Sequence, residues 1–81
     1  MEFDGHKFMQ TFSDEEIKTS LRTEKYPYYT ILIFQDRIIQ INEWYKSYHN
    51  RGGCLHNLTG PAMIWNNGET AWYINGMRWD I

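Results

Sequence analysis

Cysteine is almost absent from this chain: Cys54 stands alone among 81 residues, which excludes an internal disulfide framework and fits a reducing, intracellular compartment. Long apolar runs are missing as well. The longest, Ile31-Leu32-Ile33-Phe34, is far too short to span a bilayer. The N-terminal MEFDGHKFMQ lacks the basic-then-apolar layout of a signal peptide. A soluble cytoplasmic protein with no membrane partner is therefore expected. Charge of one sign is also scarce. Ten acids face eight bases for a net charge of -2, with the acidic excess confined to the part before Tyr26. Neither half forms the basic stripe of a polyanion binder. A phosphate-cradling glycine loop is missing too, because Gly52-Gly53 is followed by neither a helix nor a lysine.

Catalytic and metal signatures are correspondingly thin. His49, Cys54 and His56 form a mixed donor set one ligand short of a closed zinc site, and their spacing matches no CxxC or His-pair pattern; His6 lies far off in sequence. Cofactors and metals are not expected. A Cys54–His nucleophile pair oriented by Asp36 or Glu43 has no flanking signature of a cysteine enzyme. The acidic run Ser13-Asp14-Glu15-Glu16 is better read as helix capping than as paired catalytic carboxylates, since neighbouring helical positions point in different directions. A non-enzymatic role is expected.

What the chain does have is aromatic bulk. Aromatic residues make up 17% and apolar residues 42%, enough for a core despite a mean hydropathy of -0.65. A single small domain over residues 1–81 is expected, burying about 60% of its unfolded surface. Phe12-Ser13-Asp14-Glu15-Glu16-Ile17 predicts a helix over about 13–23, with Ser13 as N-cap, Glu16 closing a capping box and Phe12 stapled to Ile17. Ile17 and Leu21 would form its apolar stripe. Tyr-Tyr-Thr-Ile-Leu-Ile-Phe and the following Arg-Ile-Ile-Gln-Ile-Asn-Glu-Trp-Tyr predict a hairpin over about 28–45 that turns at Gln35-Asp36. Residues 46–60 read as an irregular loop.

The last segment, about 61–81, carries two Asn-Gly pairs. Two-residue turns at each would fix the register. Asn75-Gly76 places Ile74 opposite Met77, Trp72 opposite Trp79 and Thr70 opposite Ile81, with Tyr73 facing Arg78 and Ala71 facing Asp80 on the other side. Asn67-Gly68 places Met63 opposite Trp72 and Trp65 opposite Thr70. Both turns select the same apolar face, so a three-stranded meander is predicted with Met63, Trp65, Trp72, Ile74, Met77, Trp79 and Ile81 on its core side. That face is either core or, in part, a patch for a partner or a second copy of the chain. The fold class is α+β: one short helix on an antiparallel sheet of about five strands.

Residues 55–79 resemble a short repeat of bacteriophage and bacterial proteins, roughly L-H-R-x-D-G-P-A-x-I-x-x-x-G-x-x-x-W-Y-x-N-G-x-x-H. Leu55, His56, Gly60, Pro61, Ala62, Ile64, Gly68, Trp72, Tyr73, Asn75 and Gly76 match in order. Asn57 replaces the usual arginine, Thr59 the usual aspartate, and Trp79 stands near the position of the next histidine. The W-Y-x-N-G element is also distantly similar to a MORN repeat. Glu43-Trp44-Tyr45 echoes the Trp-Tyr pair 28 residues upstream, consistent with a degenerate preceding unit. The resemblance implies a β-hairpin module of phage origin and implies no chemistry. With the small size, it leads to the expectation of an accessory protein that binds and inhibits a host factor, such as a defence or toxin component.

The partner is expected to meet the loop 46–56, through Tyr48, His49 and Arg51, with Lys46 and the preceding Trp44, because Trp, Tyr and Arg dominate interface hot spots and the loop carries flexible glycines. The same alternation of rings with Lys46 and Arg51 is the chemistry of a single-stranded nucleic-acid site, so an RNA-binding module acting with a toxin or ribonuclease is the alternative. The balanced charge weighs against it. A host protein is the expected partner, with RNA and a homodimer as the other candidates.

Overall fold

A computed structural model describes residues 10–80. Its first element, α1 (Asp14–Thr19), begins as the sequence predicts: the Glu16 N–H donates to Ser13 Oγ at 3.1 Å and the Ser13 N–H to Glu16 Oε1 at 2.8 Å, closing the capping box. The helix ends well before residue 23. Thr19 and Ser20 turn their hydroxyls onto the carbonyls of Glu15 and Ile17, the local competition by which Thr and Ser weaken a helix interior. Ser20 is already extended, at φ -73 and ψ 155. The expected stripe is not buried either: Ile17 and Leu21 are both exposed.

The chain beyond joins the sheet instead. Strands β1 (Arg22–Lys25), β2 (Tyr29–Ile33), β3 (Arg37–Asn42), β4 (Tyr45–Asn50), β5 (Met63–Trp65) and β6 (Thr70–Ala71) form a six-stranded antiparallel sheet in chain order. A separate two-stranded sheet pairs β7 (Tyr73–Ile74) with β8 (Met77–Arg78). The architecture is thus small α+β, mostly antiparallel, with eight strands where about five were expected. Among the described residues no helix is long and apolar enough to cross a membrane.

The β2–β3 hairpin turns at Gln35-Asp36 as predicted, closed by the Phe34 N–H to Arg37 O at 2.9 Å. Its second strand stops at Asn42, whose Oδ1 accepts from the amides of Trp44 and Tyr45 at 2.8 and 2.9 Å. This Asx turn sends residues 45–50 back along β3 as β4, where an irregular loop was expected. The strand is hard to see in sequence because one of its core-facing positions is a lysine. Cross-strand partners Thr23, Leu32, Ile39 and Tyr48 form one row across β1–β4. Leu32, Phe34 and Ile39 are the buried cluster of this face, with Phe12 and Tyr48 packed against it. Ile33, Ser47, Met63 and Ala71 are buried at positions of opposite pleat.

At the two Asn-Gly turns, one expectation holds and one is corrected. Asn75 (φ 51) and Gly76 (φ +85) both lie in the left-handed region, and Ile74 faces Met77 and Tyr73 faces Arg78 as predicted. The Trp79 N–H donates to Trp72 O, and their rings meet edge to face at 5.3 Å. Between β5 and β6 the register is shifted by one residue: Met63 faces Ala71 and Ile64 faces Thr70. The loop there has three residues, Asn66 to Gly68, because the Trp65 N–H reaches Glu69 O and only Gly68 (φ +95) is left-handed. Continuity is lost at Trp72, so β7–β8 leaves the large sheet. The apolar face predicted for the meander is consequently split: Met63 is buried, while Ile74, Met77 and Trp79 are exposed, Trp79 at 54%. Ile81, expected opposite Thr70, lies outside the described residues.

Trp79→Ala should therefore remove little more than the edge-to-face contact, about 0.5–1.5 kcal/mol. A loss of about 3–5 kcal/mol in chemical unfolding, the scale of a buried tryptophan, would contradict this placement.

Candidate interaction surface

The structure disperses the residues expected to meet a partner. Lys46 is buried, donating to Glu16 Oε1 at 2.8 Å and to Thr11 O at 3.1 Å. Tyr48 sits against the core and gives its hydroxyl hydrogen to Glu16 Oε2 at 3.1 Å, with burial pushing the phenol pKa up. Arg51 donates to the carbonyls of Phe34 and Gln35, pinning the loop after β4 to the β2–β3 turn. His49 is half-buried between Ser47 and Gly53. Of the expected set, Trp44 alone is a large ring held open, 63% exposed.

His49 is engaged with chemistry of a recognisable polarity. Its Nδ1 lies 3.2 Å from Gly53 O, a pure acceptor, so this nitrogen carries the proton and Nε2 accepts from the Ser47 hydroxyl at 2.8 Å. Serine hydrolases use that arrangement, but Ser47 has no exposed surface. A sealed hydroxyl meets no substrate, and here the bond satisfies a buried donor. His56 serves the repeat-like segment. Its Nδ1 accepts from the Asn75 N–H at 3.0 Å, the Gly76 N–H donates to Leu55 O at 2.8 Å, and the Asn57 N–H donates to Tyr73 O at 3.1 Å. The Leu-His element at the start of the repeat-like unit thus clasps the Tyr-x-Asn-Gly turn at its end. Cys54 is exposed beside this clasp, and a β-carbon at Gly76 would stand 3.4 Å from its Cβ. Among the described residues no three His, Cys, Asp or Glu side chains converge as a metal site; His6 lies outside them.

Two concavities lined by described residues bear on binding. The larger, about 580 Å³, lies between α1, the core face of the sheet and the loop 56–61. Several of its polar groups are already engaged: Glu16 with Lys46, Arg37 with Asp36 at 3.0 Å, and Asn57 Nδ2 with Pro61 O at 3.0 Å.

The second, about 440 Å³, opens at the end of the sheet where the β1–β2 and β3–β4 turns meet. Pro27 and Tyr28 are the corners of the first turn, closed by the Tyr26 N–H to Tyr29 O at 2.8 Å. Proline presets the backbone of the first corner. Tyr28 is thereby held out, 84% exposed. Tyr26 and Tyr29 stack with centroids 4.8 Å apart and planes 20° from parallel. The Tyr26 hydroxyl donates to Glu24 at 2.7 Å; this bond, with Arg22 beside it, holds the Glu24 carboxyl below the usual range, and the same bond to the carboxylate raises the Tyr26 phenol. Trp44 and Glu43 form the facing turn. Asn66 braces it from the β5–β6 loop, giving its N–H to Trp44 O at 2.9 Å and its Nδ2 to Glu43 O at 2.6 Å. Asn66 Oδ1 is buried and accepts no hydrogen bond among the described residues.

Tyr26, Tyr28 and Tyr29 are absent from the residues predicted to bind. The signal was present in Tyr26-Pro27-Tyr28-Tyr29: a proline at a turn flanked by rings brings those rings together at one end of a hairpin. No known family, curated protein or solved structure matches the chain.

Proposed function

We propose that this chain is a non-enzymatic protein-binding module, an accessory protein of bacteriophage origin that docks on a host factor, such as a defence or toxin component, and blocks it. The observation that carries the binding role is the braced aromatic end, where Tyr26, Tyr28, Tyr29 and Trp44 are exposed around one groove. Exposed rings on fixed turns are the residues that act as hot spots, and their rigidity lowers the ordering cost of association. The phage and host part of the reading rests on the resemblance of residues 55–79 to the phage repeat. Lys46 and Arg51, the bases on which an RNA site would depend, are engaged by Glu16, Thr11, Phe34 and Gln35.

The test is affinity purification from host cells, with and without nuclease, using the parent chain and the double variant Tyr28→Ala, Trp44→Ala. A nuclease-resistant protein partner is expected. The double variant should weaken its binding by at least ~2 kcal/mol while shifting the thermal midpoint little, since both side chains are largely in water. Loss of every partner on nuclease treatment would favour RNA instead, and undiminished binding by the variant would move the interface elsewhere.

A further inference from the structure

Resting on the docking role above, we propose that the groove between the β1–β2 and β3–β4 turns takes a proline-rich segment of the partner in the polyproline II conformation, with a basic residue beside it. The argument starts from the groove's hydrogen-bonding groups. Trp44 offers only its indole N–H. Asn42 has committed Oδ1 to the amides of Trp44 and Tyr45, which leaves its Nδ2 hydrogens as donors. Tyr28 and Tyr29 add hydroxyls. The surface is therefore rich in donors and rings.

An extended strand would suit it poorly, because a strand docks by exchanging backbone N–H and C=O bonds with a sheet edge. These turns present no such ladder: Pro27 lacks an N–H, the amides of Tyr26, Trp44 and Tyr45 are already engaged, and the carbonyls of Glu43 and Trp44 are taken by Asn66. A polyproline II segment has the opposite balance. It carries outward carbonyl acceptors, no N–H at its prolines, and compact apolar pyrrolidine rings that seat between aromatic side chains. Its conformation exists before binding, so a small groove need not order it. Charge supplies the flank. Glu43 lines the groove and is exposed, while the neighbouring Glu24 carboxylate is held by Arg22 and Tyr26. Glu43 is thus the carboxylate left to receive an arginine or lysine of the ligand.

The experiment uses the full chain and a synthetic peptide of about ten residues, proline-rich with one terminal arginine. Controls are the same peptide with alanine for proline, the same peptide with glutamate for arginine, and single-stranded oligouridine. Binding is followed by calorimetry and by the indole N–H resonance of Trp44 in the unaltered protein. Expected results are a shift of that resonance and at least ~10-fold weaker binding of the alanine peptide. Trp44→Ala and Tyr28→Ala should each weaken the proline peptide at least ~10-fold at an unchanged thermal midpoint. Glu43→Gln should erase the preference for the arginine-ended over the glutamate-ended peptide and leave proline recognition in place. Equal affinity for the proline and alanine peptides, or oligouridine competing for the same resonance, overturns the proposal. If no peptide binds but the double variant still loses its host partner, the ligand class is wrong and the docking role stands. If that partner is also retained, both fall.

Discussion

Lys46→Met is expected to destabilise the fold by roughly 3–5 kcal/mol, the cost of leaving a buried charge without its partner. Lys46 and Glu16 meet at 2.8 Å with side-chain exposures of only 8% and 16%. Glu16 is a junction: it closes the helix cap through the Ser13 N–H, receives Lys46 on the same oxygen, and takes the Tyr48 hydroxyl on the other. Removing Lys46 strands a carboxylate that joins the helix to the sheet. Lys46→Met combined with Glu16→Gln should cost well below the sum of the single changes, because glutamine can still close the capping box and no charge is left unpaired. Additive losses in a double-mutant cycle would show that the pair does not couple the two elements.

The same junction predicts a pH dependence. Burial alone would raise the Glu16 pKa, but the Lys46 hydrogen bond, the Ser13 N–H, the Lys46 charge and the Tyr48 hydroxyl together hold it below its ordinary value of 4.5. A carboxyl whose folded value is depressed binds fewer protons in the native state. Its contribution is therefore complete above the ordinary value and is lost as pH falls through the folded one. Urea unfolding from neutral pH into the acid range should show a steeper loss for the parent than for Glu16→Gln. Parallel curves would remove Glu16 as the cause.

Leu32→Ala is the second large effect, about 2–5 kcal/mol. Leu32 is fully buried, faces Ile39 across the β2–β3 ladder and belongs to the cluster with Phe34. A cavity at the middle of this cross-strand row removes the packing contacts of the residues around it. Leu21→Ala provides the contrast, because Leu21 is 63% exposed although helical spacing from Ile17 makes it look like a core position. Its loss should stay within about 0.5 kcal/mol, the range of ordinary surface changes. Comparable midpoints for the two variants in denaturant would reverse the assignment of inside and outside.

Local chemistry was legible in the residues themselves. Ser13 and Glu16 announce a helix start because a capping box needs only groups three positions apart. Asn75-Gly76 announces its hairpin because both corners require left-handed backbone, and the pairing of Ile74 with Met77 follows from that turn alone. Ile31 to Phe34 and Ile38 to Ile41 announce strands through their β-branched bulk. What the tertiary structure decided is where those pieces were matched against distant ones. Residues 22–25 became a strand because an edge of β2 was available, which outweighs the weak propensity of a short helix. β4 was hidden because its core-facing Lys46 needs Glu16, 30 positions away, to be tolerated there. Asn67-Gly68 turned with one residue more than the two-residue loop it resembles, and that single step, with the break at Trp72, turned Met77 and Trp79 outward. The rings of the candidate interface follow the same rule. Sequence supplied Tyr26, Tyr28, Tyr29 and Trp44, but only the antiparallel stacking of two turns at one end of the sheet placed them around a common groove.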